Sequence, residues 1–299
     1  IANMIANVIY IPFFFRTLIS WRPSYDPILS KKITTYAYPV MLTGLAGMTN
    51  EMFSRQTLDW WLPPDFYPGQ TSKYAMGVFG ACYKFGMLMN LTVQAFRYAA
   101  EPFFFSNAAD KESPKLFATV NYYFVVVGCV ILLAVSLNMD IIKNFLGSAA
   151  YWQGIAIVPI LLLGYLFLGI YYNISVWFKL TDRTYFGTII TVGGAVITVV
   201  ANYLLIPVAG YVGSSWAMLI CYFTMTAACY FIGQRYYPIP YNIIGSLGYI
   251  LFTTALVYVT GLVSFNNPWF DFAFHNLIIV GYLLTIYLLE KNNFKRASV

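Results

Sequence analysis

Lys84 stands inside the run GACYKFGMLMNLTVQAFRYAAEPFFF, Gly80 to Phe105, where polar and charged side chains are set most densely into otherwise apolar sequence. Read as a membrane helix starting near Tyr74, the run rises about 1.5 Å per residue and puts Lys84 about 15 Å deep, close to the bilayer midplane. A charge there costs about 2.5–3.5 kcal/mol on insertion scales and is normally kept facing a cavity or a partner. That depth argues against a lysine that merely snorkels to the surface. Lys84 is therefore the first functional candidate.

On the same segment Arg97 and Glu101 sit four residues apart and can pair along a helix. Asn90, Gln94, Arg97 and Glu101 make one stripe at helical spacing. At about 100° per residue, Lys84 and Arg97 point about 140° apart, so they line one cavity only if the helix bends, for which Gly86 is the candidate. In the preceding segment Glu51, Arg55 and Asp59 follow at i, i+4 and i+8, with Gly44 and Gly47 keeping that face small enough for close helix contact. This cluster reads either as a gate contacting the substrate or, more ordinarily, as a helix-end ion-pair network.

The elements that must position these residues are transmembrane helices. Of 299 residues 60% are hydrophobic and 9% charged, and the mean hydropathy is +0.67, whereas soluble domains carry about 25% charged residues. The aromatic share of 19% suits a chain with many membrane interfaces, and Trp60 to Tyr67 reads as one aromatic anchor. About nine segments are long enough to span about 30 Å of hydrocarbon: near 1–19, 34–58, 74–105, 116–138, 155–178, 186–206, 211–232, 242–264 and 272–289. None alternates with period two, which disfavours a membrane barrel. The expected fold class is an all-α polytopic membrane protein.

Basic residues orient it. One set of alternate connections holds twelve, from Arg16, Arg22, Lys31 and Lys32 through Lys179 and Arg183 to Lys291, Lys295 and Arg296; the other holds only Lys73 and Lys143. Positive loops stay cytoplasmic, so the C-terminus is expected inside. Nine spans then put Ile1 outside, and an odd number of spans is expected before it.

Several function classes recede. The net charge of +6 has no soluble basic face to serve nucleic acid. Cys82, Cys129, Cys221 and Cys229 lie in apolar runs without metal or redox spacing and read as reduced, packed thiols. His275 stands alone, and no nucleophile elbow, zinc-helix motif or phosphate loop occurs. The outward loops are short, so there is no extramembrane domain for a glycosyltransferase or polymerase. No cofactor or metal is expected, and the chain reads as a mover of solute rather than an enzyme.

The stretch LTDRTYFGTIITVGGAVITVVANYLLIPVAGYVGSSWA, Leu180 to Ala217, resembles the turn, long span and hairpin of the polysaccharide flippases in the multidrug/oligosaccharidyl-lipid/polysaccharide exporter superfamily. Gly77 to Phe105, with its YK, FR and EP pairs, is similar to the same family, and the likeness extends from about Lys32 onward. It implies a fourteen-helix, two-lobe transporter that flips undecaprenyl-pyrophosphate-linked oligosaccharide by alternating access in the bacterial inner membrane. On that resemblance residues 1–20 are the last span of a first lobe, 21–33 a cytoplasmic linker, 34–232 the six-helix C-terminal lobe, and 233–299 two added helices and a tail. The family's cationic cavity maps to Lys84, with Arg97 and Arg55, while Glu51 and Glu101 orient these or respond to a coupling ion. The implied partners are the lipid-linked oligosaccharide, membrane lipids and polysaccharide assembly proteins. A cation-coupled multidrug exporter of the same superfamily is the second reading; it would want a buried carboxylate where this chain has a lysine.

The topology is open to measurement. A fluorescent protein fused after Val299 should light up, and alkaline phosphatase fused there should stay inactive; the reverse pattern would invert every depth assigned above.

Overall fold

The computed structural model describes residues 26–263 and 267–297, together with Val8, Pro12, Phe14, Phe15, Ile19 and Ser20. Most of the expected first span and residues 21–25 of the expected linker thus lie outside the described residues. The chain divides into two compact units, Ile1–Met41 and Leu42–Val299.

The described part of the first unit is the start of helix α1, Pro27–Trp61. Asp26 caps it, its Oδ1 accepting from the backbone N–H of Ile28 at 2.8 Å and of Leu29 at 3.2 Å. Pro27 follows at the position where a missing N–H costs nothing. The helix consequently begins within 21–33, which the sequence reading had assigned as linker.

Within the second unit, α2 is Ser72–Asn107, capped by Thr71, whose Oγ1 accepts from the Tyr74 N–H at 3.3 Å. Helix α3 is Ser113–Leu137. A 3-10 turn at Ala149–Ile157 leads into α4, Val158–Ile174, and a short helical extension, Val176–Leu180. One helical run, Tyr185–Tyr236, breaks at Gly210 into α5 (185–209) and α6 (211–236). Helices α7, Ile243–Thr260, and α8, Pro268–Ala297, complete the chain. Among the described residues every regular element is helical.

Five stretches are long and apolar enough to cross a membrane: Ser113–Leu137, Ala149–Leu180, Tyr185–Tyr236, Ile243–Thr260 and Trp269–Lys291. Tyr185–Tyr236, at 52 residues, is long enough for two crossings. Helices α1 and α2, both expected as spans, do not join that set. They carry Lys31, Lys32, Glu51, Arg55 and Asp59 on one and Lys73, Lys84, Arg97 and Glu101 on the other. The candidate residues therefore lie on two long helices too charged to offer lipid a uniform apolar surface.

Helix α4 is buried nearly all round; only Pro159, Leu163 and Tyr172 escape full burial. It packs on α2, on α3 and on the α5–α6 pair. A helix apolar on every side is a core helix, and α4 is the hub of this unit.

Helices α5 and α6 form an antiparallel hairpin. Asn202 faces Ser214, Gly194 faces Cys221 and Phe186 faces Tyr236. The turn needs Gly210, at φ +55°, a conformation costly for residues with a Cβ. Gly213 is needed as well, because a Cβ there would lie 2.2 Å from the Leu205 carbonyl oxygen. The hairpin tip docks on the loop after α1: Tyr67 stacks on Tyr211 at 5.0 Å and 13°, and the Tyr67 hydroxyl accepts from the Tyr211 N–H at 3.3 Å.

A buried polar knot fastens the hairpin to α1. Thr198 Oγ1 donates to Asn50 Oδ1 at 3.1 Å, and Asn50 Nδ2 reaches the Thr191 carbonyl at 3.4 Å. Asn202 Nδ2 donates to Ser54 Oγ at 3.1 Å and to the Thr198 carbonyl at 2.7 Å. Ser214 Oγ lies 2.7 Å from the Ser54 carbonyl and 3.0 Å from Asn202 Oδ1. Asn202→Ala should leave Ser54 and Ser214 short of partners and destabilise the protein by about 2 kcal/mol. Thermal unfolding in detergent reads this, with Thr224→Ala as the neutral control, since that hydroxyl only bonds back to Ile220 on its own helix.

Candidate functional site

Helices α1 and α2 run antiparallel where they face each other. Asp59 Oδ1 accepts from Ser72 Oγ at 2.6 Å, and several turns further Asn90 Nδ2 donates to Glu51 Oε1 at 3.1 Å. Between these contacts the Arg55 guanidinium rests on α2 at Gly80, where an added Cβ would come within 3.2 Å of the guanidinium carbon. Gly80 and Lys84 are one helical turn apart, so Arg55 and Lys84 share one face of α2. Lys84 is exposed, about 18 Å along the helix from Ser72. Among the described residues neither Lys84 nor Arg55 makes an ion pair or a hydrogen bond.

The ion-pair network expected among Glu51, Arg55 and Asp59 does not form. Each turns to α2 instead: Glu51 to Asn90, Arg55 to Gly80, Asp59 to Ser72. Pairing along one helix is worth only about 0.2–0.5 kcal/mol, so a neighbouring helix within hydrogen-bond reach takes these groups. Glu51 is drawn further into the groove through its backbone, whose carbonyl accepts from Tyr83 OH at 3.3 Å; Tyr83 in turn accepts from Tyr165 OH.

Arg97 belongs to a second group, about 20 Å further along α2 from Lys84. Gly86, the candidate for a bend that would join them, sits inside a helix that runs unbroken from Ser72 to Asn107. Gly86 is buried against α4, where a Cβ would meet Leu161 Cβ at 3.0 Å. Its smallness serves helix contact rather than a hinge.

In this second group Arg97 lies over the Tyr172 ring, 4.5 Å from guanidinium carbon to centroid. Its Nε is 3.9 Å from Glu101 Oε2, the outer limit of an ion pair. Glu101 Oε1 instead takes Lys179 Nζ at 2.6 Å. Gln94 Nε2 reaches Asn90 Oδ1 at 3.5 Å, so a polar track runs along α2 from Glu51 to Lys179.

Lys179 and Tyr172 are absent from the sequence-derived candidates. Lys179 reads in sequence as a loop cation and is separated from Glu101 by 78 positions, so no periodicity joins them. A third polar group was equally hidden. Glu290 on α8 is buried and accepts from Tyr122 OH at 2.7 Å and Tyr249 OH at 3.3 Å, which ties α8 to α3 and α7. A glutamate in an otherwise apolar run, opposite the Tyr122–Tyr123 pair, was the only sequence signal for it.

Fold and site together define a multi-pass, all-α membrane protein with cationic side chains along α2 and on the side of α1 that faces it. Its structure is similar to that of the "Lipid II flippase MurJ, inward closed conformation", with a TM-score of 0.68 and 15% sequence identity, over 97% of this chain and 61% of that one. This chain thus spans about three fifths of that protein's length. No family model matches the sequence, and no curated protein matches it.

All four cysteines are free and buried, which makes the exposure of Lys84 measurable. Lys84→Cys should label with a membrane-impermeant maleimide in detergent-free vesicles or nanodiscs, while the native thiols stay unreactive. A thiol at 84 that labels only with lipid-soluble reagents would place it against lipid instead of in a wet groove.

Proposed function

We propose that this protein flips an undecaprenyl-diphosphate-linked oligosaccharide from the inner to the outer leaflet of the bacterial cytoplasmic membrane by alternating access. The observation that carries this reading is Lys84: an exposed ammonium, partnerless among the described residues, well inside a long helix and on one face with Arg55. A cation left unpaired at such depth is costly unless an anion meets it during function. A diphosphate does so well, because lysine serves as a mobile point charge and arginine as a forked donor.

The likeness in fold to a protein named as a lipid II flippase supports this reading, as does the resemblance of 180–217 to the polysaccharide flippases. In it, 34–232 is the lobe that rocks against another, 233–299 adds two helices and a cytoplasmic tail, and polysaccharide assembly proteins are its neighbours. Glu51, held by Asn90 and one turn of α1 from Arg55, orients the cations or answers a coupling ion. The protein acts as a transporter, not an enzyme.

Glu51 is also the observation that favours the second reading, a cation-coupled drug exporter. It is a half-buried carboxylate in the same groove. Arg55 and Lys84 outnumber it there, however, and a cationic drug would meet net positive charge.

Lys84→Ala in the complete protein should abolish export of surface polysaccharide while membrane levels stay normal. Retained export would remove Lys84 from the machinery. Sensitivity of a deletion strain to cationic dyes, with polysaccharide intact, would favour the exporter.

A further inference from the structure

We propose that the cleft between α2 and the Ile174 end of α4 is a second binding site, one that takes the phosphate group of a lipid at the cytoplasmic membrane surface. Its ligands are Arg97, Lys179 and the side-chain amide of Asn173. The cleft is open to its surroundings and is lined by these three residues with Glu101 and Tyr172. On the orientation that the basic residues give, it opens at the inner interface, where lipid phosphates lie.

Asn173 is the observation that points to a ligand. It is only 4% exposed, it lines the cleft, and its Nδ2 has no hydrogen-bond partner. Buried donors are nearly always satisfied, and an unmet one costs about 1–3 kcal/mol. An acceptor entering the cleft would relieve that cost.

The cations are prepared in the same way. Stacking on Tyr172 fixes the Arg97 plane, and its approach to Glu101 is long, 3.9 Å from Nε to Oε2, so Glu101 does not engage the guanidinium fully. A planar fork held like this matches phosphate oxygens. Lys179 uses one donor on Glu101, and an ammonium has three. Two cations against one carboxylate leave net positive charge. A neutral sugar has no use for that charge, and a phosphate offers enough acceptors for fork, ammonium and amide together.

Two sources could supply such a phosphate: the diphosphate of a polyprenyl-linked substrate, or the headgroup of a resident anionic phospholipid. The site itself does not depend on the Lys84 assignment; only the first source rests on the proposed function.

The test measures binding, so that it fails separately from transport. The detergent-solubilised protein is titrated with a short-chain polyprenyl diphosphate, with phosphatidylglycerol and with inorganic pyrophosphate, and the ligand-induced rise in melting temperature is followed for each variant. Arg97→Gln and Lys179→Gln should each weaken the preferred lipid at least about tenfold, and Asn173→Leu should weaken it by a smaller factor. Glu101→Gln should tighten it, because the competing carboxylate is gone; a purely structural ion pair predicts no such gain. Preference for the polyprenyl diphosphate would make this the docking point of the substrate's headgroup. Equal or better binding of phosphatidylglycerol would make it a resident-lipid site, and pyrophosphate alone would show that the lipid tail is dispensable. Wild-type affinity in Lys179→Gln and Asn173→Leu, or weakened binding in Glu101→Gln, would overturn the proposal. Should either cation variant fail to assemble, Glu101→Gln decides alone.

Discussion

A polar group placed in hydrocarbon can turn only to other protein groups, and this chain is organised around meeting that demand. The knot of Asn50, Ser54, Thr198, Asn202 and Ser214 satisfies its members across three helices, all of them buried. Because Asn50, Asn202 and Ser214 each bond at least two neighbours, α1, α5 and α6 hold a defined register that apolar contact with lipid-like surfaces would not impose. Where hydrogen bonds do not fasten the helices, shape does: α4 is enclosed by the others, and Gly86 lets α2 lie against it.

The same rule explains why the charged residues fall where they do. Helices α1 and α2 carry many charges for lipid-facing helices, and Glu51, Arg55 and Asp59 turn to α2 while Arg97 and Glu101 turn to α4 and its extension. Along that track the carboxylates are all engaged, Glu51 by Asn90, Asp59 by Ser72 and Glu101 by Lys179. The cations are in part left over. Lys84 and Arg55 at one level, and the Arg97 fork at another, make a surface with positive charge to spare, which suits a substrate that brings its own negative charge into the membrane.

In the proposed transport reading, two levels of cation about 20 Å apart along one helix would meet a headgroup at one surface and hold it further in. In the transport reading the lobe would move as a body, since its polar knot and its α4 hub leave little freedom inside it. Glu290, held between phenols of α3 and α7, gives α8 a similarly fixed attachment.

The sequence by itself determined the solvent and the fold class, because a composition of 60% hydrophobic and 9% charged residues admits few alternatives to membrane helices. It located most helices closely, including the break between the spans near 186–206 and 211–232, since apolar length is a local property. It also singled out Lys84, Arg97, Arg55, Glu51 and Glu101, because a charge in an apolar run is conspicuous wherever it sits. Which of these meet was not legible. The spacing of Glu51, Arg55 and Asp59 favoured pairing along one helix, and only the approach of α2 redirected them. Gly86 read as a hinge until Leu161 was found against it. Lys179, Tyr172 and Asn173 come to Arg97 from α4 and its extension, more than seventy positions away. Partners of that kind are fixed by helix packing, which no periodicity within one segment records.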